Sequence, residues 1–108
     1  MSKQKIYNKL VRDKIPDIIR TDGRTCLCET LTQEEYLHCL NEKLNEELAE
    51  YQESKSLEEL ADLLEVMMAI VKARGYTWKH LTELCQKKRE ARGGFDKRIL
   101  LKEVHYPK

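Results

Sequence analysis

The stretch from Leu44 to Met68 constrains the fold most, because two helical repeats are separated there by a very short break. Apolar residues recur at helical spacing on both sides of Ser54-Lys55-Ser56. Such periodicity is typical of a helix with one buried face. A break of three residues predicts that the two helices fold back on each other as a hairpin.

Four carboxylates lie on the facing sides of this predicted hairpin. Glu47 and Glu50 are one turn apart on the first helix, as are Glu59 and Asp62 on the second. A turn at residues 54–56 places Glu50 opposite Glu59 and Glu47 opposite Asp62. Like charges at a few ångströms repel unless they are protonated or a cation lies among them. Hard divalent cations, Mg²⁺ above all, prefer such oxygen-only sites, so the pattern predicts a Mg²⁺-dependent enzyme acting on a nucleotide.

An alternative interpretation is a charged helix pair whose acids are ordinary surface residues. The chain has 19 Asp and Glu residues, so two such pairs can arise by chance. On a helical wheel, Glu47 lies on the shoulder of the apolar stripe of the first helix and Glu50 lies one step further round. Glu46 lies nearly opposite that stripe. The wheel and the mirrored spacing therefore favour Glu47 and Glu50 as ligands over Glu46.

The second helix of the hairpin, predicted from about Leu57 to Arg74, is apolar on two sides. Glu59 and Asp62 continue one of the apolar faces toward the helix N-terminus. A helix that is apolar on two sides is packed on two sides. A chain with at most four helices offers few elements for the second covering layer, so we expect another copy to supply it, in at least a dimer. The two faces are Leu57, Leu60, Leu64, Met68 and Val71 on one side, and Val66, Ala69 and Ile70 on the other.

Local signals predict the other elements. Thr32 and Glu35 form a capping box that begins the first hairpin helix, which runs to about Glu53. A short helix is predicted with Pro16 at its first position and its end at Gly23, and a further helix over 78–92 is capped by Thr77. A small two-stranded β element is predicted from Thr25–Thr30 and Arg98–Tyr106. The fold class is therefore mainly α, an antiparallel helical bundle with a small sheet.

Two groups of cations are candidates for binding phosphate. Lys88 and Arg92 continue the inward stripe of the last helix. Lys9, Arg12 and Lys14 form a basic arm (residues 9–14), which is either solvated or laid across a phosphate site. Arginine suits phosphate because it forms bidentate hydrogen bonds, whereas cations at a helix C-terminus also suit the helix dipole.

Overall composition bounds the function classes. The chain of 108 residues predicts one domain, and its 36% charged residues sum to a net charge of +1. That balance gives no reason to expect a nucleic acid or a membrane as partner. No apolar run reaches the roughly 20 residues of a membrane span and no signal peptide opens the chain, so we expect a cytoplasmic protein with reduced cysteines. Cys26 and Cys28 are expected to be buried small side chains.

The acidic pattern resembles a known family. Residues 46–50 (Glu-Glu-Leu-Ala-Glu) and 59–62 (Glu-Leu-Ala-Asp) match the signature of the MazG-like, all-α nucleoside triphosphate pyrophosphohydrolases. The opening at 7–16 (Tyr-Asn-Lys-Leu-Val-Arg-Asp-Lys-Ile-Pro) resembles the branch described as phosphoribosyl-ATP pyrophosphohydrolase-like, as does 88–95 (Lys-Arg-Glu-Ala-Arg-Gly-Gly-Phe). The match covers nearly the whole chain.

The resemblance implies one MazG-like domain over residues 1–108, built as a homodimer or homotetramer. It implies Mg²⁺, with Mn²⁺ as a substitute, bound by Glu47, Glu50, Glu59 and Asp62. Glu46 belongs to the family motif and would orient water. The implied reaction cleaves a nucleoside triphosphate, canonical or damaged, between the α- and β-phosphates.

Two rival functions stay open at this point. The first is the hydrolysis of phosphoribosyl-ATP in histidine synthesis. The second is a helical oligomerisation or partner-binding module that is not an enzyme.

Overall fold

The computed structural model describes residues 4–108, and this part of the chain contains four helices. They are α1 (Ile15–Thr21), α2 (Gln33–Ser54), α3 (Leu57–Ala73) and α4 (Trp78–Arg92). The chain divides into two compact units, the first ending at Tyr76 and the second formed by Thr77–Lys108. The first unit contains α1, α2 and α3, and the second contains α4. The predicted helical class is confirmed.

The capping residues explain where α2 and α3 begin. The Thr32 hydroxyl accepts a hydrogen bond from the Glu35 backbone N–H at 3.2 Å, and the Glu35 carboxylate accepts one from the Thr32 backbone N–H at 3.1 Å. This is the predicted capping box. Lys55 adopts a left-handed conformation with φ of 57°, and Ser56 caps α3 by accepting from the Glu59 N–H at 3.3 Å. The predicted hairpin break is confirmed.

Helices α2 and α3 pack against each other and form the α2–α3 hairpin. The Gln33 side chain at the start of α2 donates a 2.8 Å hydrogen bond to the Ala73 carbonyl at the end of α3. Among the described residues, the buried hydrophobic side chains are Leu40 and Val66, one from each helix. The hairpin therefore has a narrow apolar core, and Val66 lies on the same face of α3 that Glu59 and Asp62 continue.

The opposite face of α3 is exposed. Leu57 is 81% exposed, and Leu60, Leu64 and Met68 are each exposed by at least 40%. Burial of a Leu side chain stabilises a protein by about 1.5–3 kcal/mol. The exposed side chains on this face of α3 therefore contribute little to the stability of a single chain. The two-sided pattern of the sequence thus corresponds to one face packed on α2 and one face open.

Helix α4 begins and ends at its predicted residues. Thr77 caps it, with its hydroxyl accepting from the His80 N–H at 3.1 Å and its own N–H donating to His80 Nδ1 at 3.2 Å. Gly93 follows Arg92 with φ of 83°, a conformation that favours glycine. Helix α1 begins at Ile15, one residue before the predicted first position at Pro16, and it ends at Thr21 rather than at Gly23.

The predicted two-stranded β element is wrong: residues 4–108 contain no strand. Thr25–Thr30 and Arg98–Tyr106 make no ladder of backbone hydrogen bonds, and their apolar side chains remain exposed, with Leu27 at 100% and Ile99 at 80%. A two-stranded sheet is at best marginally stable unless one face is covered. The two predicted strands therefore lack a packed face that would stabilise a sheet.

The expectation for the cysteine pair is also corrected. Cys28 is exposed and Cys26 is half-buried, although their sulfur atoms lie 3.8 Å apart on the same side of the chain. The expected burial required the sheet that does not form. No helix in the described part of the chain is long and apolar enough to cross a membrane.

Candidate functional site

Three carboxylates meet in the α2–α3 hairpin, and we call Glu47, Glu50 and Glu59 the acid cluster. One oxygen from each lies within 4.8 Å of the others. Glu47 and Glu50 share a side of α2 because they are one turn apart, and the short turn at Ser54–Ser56 brings Glu59 of α3 against them. The structure thus brings together three of the four acids that the sequence predicts to face one another.

Glu47 is the most buried member of the acid cluster. It is 6% exposed, although it carries a charge at neutral pH in its ordinary state. Its Oε2 atom is buried without a hydrogen-bond partner, and so is Oε2 of Glu59. A buried carboxylate oxygen without a partner costs free energy, because it has lost its hydration and gained nothing in return. Both oxygens are therefore suited to a cation.

The electrostatics of the acid cluster disfavour full ionisation. Burial raises the pKa of Glu47, and a hydrogen bond and charge repulsion from Glu50 raise it further; Lys43 acts in the opposite direction but does not prevail. Burial also raises the pKa of Glu59, and the charges of Glu50 and Asp62 add to this effect. These shifts mean that the cluster favours either protons or a positively charged ligand.

Asp62 lies beside the acid cluster rather than in it. Its carboxylate pairs with the guanidinium of Arg12 at 2.7 Å. Asp62 is nevertheless near enough to Glu59 for its charge to raise the pKa of that residue. Its role as a metal ligand stays a prediction, because in this arrangement an arginine of the basic arm binds one of its oxygens.

Glu46 occupies the flank of the site between two lysines. Its Oε1 lies 3.1 Å from Lys9 Nζ and 3.3 Å from Lys43 Nζ. Partial burial acts to raise the pKa of Glu46, but the two lysines outweigh it and lower the pKa. The hydrogen bond and charge of Glu46 in turn raise the pKa of Lys9. Glu46 is therefore an ionised hydrogen-bond acceptor next to the cluster.

Lys43 is a member of the site that the sequence analysis missed. Its ammonium lies 3.4 Å from Glu47 Oε1 as well as beside Glu46, and its side chain is 18% exposed. The sequence is sufficient to place Lys43 beside these glutamates, because residues three and four positions apart on a helix are neighbours. Lys43 precedes Glu46 by three positions and Glu47 by four.

The other predicted phosphate-binding residues are exposed. Lys14 immediately precedes α1, and its side chain makes no capping hydrogen bond there and no ion pair with any described residue. Lys88 and Arg92 lie on α4 in the second unit, where both side chains are exposed. Their roles in binding phosphate stay predictions.

The donor set of the acid cluster consists of oxygen atoms alone. Carboxylate oxygens suit Mg²⁺ and Mn²⁺, whereas softer metals prefer sulfur or imidazole nitrogen. The residues therefore fit the divalent cation that the sequence predicts, with Glu47, Glu50 and Glu59 as the ligands that the geometry favours.

Comparisons with known proteins find similarity over one short stretch of the chain. No protein-family model and no solved structure matches the chain. A stretch of 42 residues is 52% identical to an uncharacterized protein of Mycolicibacterium smegmatis. The stretch covers 39% of this chain and 43% of that protein, so the chain matches less than half the length of its relative.

Proposed function

We propose that this protein is a Mg²⁺-dependent nucleotide pyrophosphohydrolase that cleaves a nucleoside triphosphate to a monophosphate and pyrophosphate. The observation that carries the proposal is the acid cluster, in which Glu47 is buried with an oxygen that has no hydrogen-bond partner. The resemblance of residues 46–62 to the MazG-like signature supplies the reaction class. A cytoplasmic location belongs to the same proposal, because nucleoside triphosphates are intracellular substrates.

The residues of the hairpin divide the work of the reaction. Glu47, Glu50 and Glu59 would hold the cation, and Asp62 would be a further ligand once it is no longer paired with Arg12. When bound, Mg²⁺ would offset the charge of the phosphates and orient a water molecule toward the α-phosphorus. Glu46, held ionised by Lys9 and Lys43, would accept a hydrogen bond from a water molecule beside the acid cluster and act as its base.

A homodimer or homotetramer is part of the proposal. Its support is the open face of α3, where Leu57, Leu60, Leu64 and Met68 are all exposed. This face runs along the helix that carries Glu59 and Asp62. A second copy that covers it would bury apolar surface and fix the helix that carries half of the predicted ligands.

The function is tested by a nucleotide screen that measures pyrophosphate release with Mg²⁺ present. The panel contains canonical and damaged nucleoside triphosphates, deoxynucleoside triphosphates and phosphoribosyl-ATP. Turnover of at least one triphosphate, lost in Glu50→Gln and kept in Glu53→Gln, supports the proposal. Glu53 is the matched control because it is an exposed glutamate on the same helix. Turnover of phosphoribosyl-ATP alone would favour the histidine-synthesis alternative, and no turnover of any compound would contradict an enzymatic role.

A further inference from the structure

The basic arm contacts both helices of the hairpin. Lys9 pairs with Glu46 on α2 at 3.1 Å, and Arg12 pairs with Asp62 on α3 at 2.7 Å. The two cations are three residues apart in the sequence. The segment between them therefore runs from one helix to the other beside the acid cluster, outside any helix of its own.

Arg12 occupies the carboxylate that the sequence predicts as the fourth ligand of a divalent cation. The sequence predicts Asp62 as the fourth metal ligand, whereas one of its oxygens binds the Arg12 guanidinium. A divalent cation held by Glu50 and Glu59 would also repel the guanidinium, because both are positive and lie near the same acids. Binding of the metal and retention of the Arg12–Asp62 ion pair thus oppose each other.

The Arg12–Asp62 ion pair can exchange readily. The Arg12 side chain is 58% exposed and that of Asp62 is 41% exposed. Ion pairs that are this accessible to water contribute little to stability, so a competing cation can replace one. Lys9 differs, because its partner Glu46 lies outside the acid cluster and also binds Lys43. The Lys9–Glu46 ion pair does not involve Asp62, so it can persist when Arg12 leaves that carboxylate.

A released Arg12 is suited to phosphate. A guanidinium presents a planar set of donors that matches two phosphate oxygens at once, which a lysine ammonium cannot reproduce. It would be released beside the metal, where the phosphates of a metal-bound nucleotide must lie.

We propose that Arg12 exchanges partners during substrate binding: it leaves Asp62 when a divalent cation binds the acid cluster, and it then binds the polyphosphate of the substrate. This inference rests on the proposed function, since it assigns a regulatory residue to the same site. Arg12 thereby makes binding of the bare metal weaker and binding of the metal–polyphosphate complex stronger.

The test measures the two binding steps separately. Binding of Mn²⁺ alone is followed by electron paramagnetic resonance, and binding of Mn²⁺ with inorganic tripolyphosphate by calorimetry. In Arg12→Ala we expect the Kd for Mn²⁺ to fall by about three- to tenfold, because a competing and repelling cation has been removed. We expect the Kd for the tripolyphosphate complex to rise by about tenfold or more.

Arg20→Ala is the matched control. It removes the same charge from an arginine that pairs with Asp17 at 3.5 Å, and not with the hairpin. Both of its Kd values should stay within about twofold of the wild type, as expected for an exposed ion pair elsewhere. Arg12→Lys keeps the charge but not the bidentate geometry, so it should restore the Kd for Mn²⁺ and leave the tripolyphosphate complex weakened.

The outcomes separate this inference from the proposed function. If the wild type binds Mn²⁺ and Glu50→Gln does not, but Arg12→Ala leaves both Kd values unchanged, the exchange of partners is wrong and the metal site stands. Weakening of both steps by Arg12→Ala would also overturn it, since that result indicates a structural role. If the wild type binds no Mn²⁺, the proposed function fails and the inference fails with it.

Discussion

Lys43 Nζ lies 3.4 Å from one carboxylate oxygen of Glu47, while the other oxygen of that carboxylate is buried without a hydrogen-bond partner. The lysine thus compensates only part of the charge that the hairpin buries. The pKa of Glu47 is raised despite this ion pair, because burial and the neighbouring Glu50 outweigh it. The α2–α3 hairpin therefore carries an electrostatic cost at the position where a cation would remove it.

This cost predicts how stability depends on pH. The pKa of Glu47 in the folded chain lies above the ordinary value of 4.5, so folding favours its protonated form. The contribution of Glu47 to the free energy of unfolding is fully present below pH 4.5, and it is lost as the pH rises through the higher pKa of the folded chain. Glu47→Gln mimics the protonated form, so at pH 7 its free energy of unfolding should exceed that of the wild type by roughly 1 kcal/mol. The variant should therefore unfold at a higher temperature than the wild type.

Thermal unfolding followed by circular dichroism at pH 4 and pH 7, without metal, checks this prediction. The difference between Glu47→Gln and the wild type should largely vanish at pH 4. The exposed control Glu53→Gln should show no such dependence. A Glu47→Gln variant that is less stable than the wild type at pH 7 would show that the Lys43 ion pair outweighs the burial.

The open face of α3 predicts a self-association that one substitution disrupts. Leu64→Glu places a charge in the middle of the exposed row of leucines, where a second copy would have to bury it. We expect a mass of at least two chains for the wild type in sedimentation equilibrium, and a shift to the monomer of 12.8 kDa in the variant.

Lys72→Glu is the control for this experiment, because it introduces the same residue on the solvated side of the same helix. It should leave the mass unchanged. Sedimentation of the wild type as a monomer at micromolar concentration would contradict the proposed self-association.

The helix boundaries could be predicted from the sequence because their causes are local. Thr32, Glu35 and Thr77 act on groups within three residues of themselves, and Lys55 completes a turn whose two flanking helices were already periodic. The sequence also predicted that Glu50 and Glu59 face each other, because a short turn determines which residues of a helical hairpin meet.

The features that the sequence did not predict correctly depend on contacts between distant parts of the chain. Arg12 and Asp62 are separated by 50 positions, and no periodicity indicates that they pair. The predicted strands failed for a related reason: a strand pattern in the sequence does not show whether another part of the chain covers the strand. Lys43 is a different case, because its helical spacing was sufficient to find it.

The capping box of α2 predicts a measurable contribution to stability. Thr32→Ala removes the hydroxyl that accepts from the Glu35 N–H and should lower the free energy of unfolding by about 1 kcal/mol. Thr30→Ala, an exposed threonine in the preceding segment, should change it by less than about 0.5 kcal/mol. Urea unfolding of both variants gives the comparison, and equal effects would mean that the cap is not formed in solution.

The metal site itself is tested by titrating the wild type with Mn²⁺ and following the loss of the free-ion signal in electron paramagnetic resonance. The matched variant carries Glu47→Gln, Glu50→Gln and Glu59→Gln together, which removes the charges of the acid cluster and nearly preserves its shape. We expect one saturable site per chain in the wild type, a higher melting temperature with increasing Mn²⁺, and neither effect in the triple variant. Equal binding by the two proteins, or no saturable binding by the wild type, would contradict the proposed metal site.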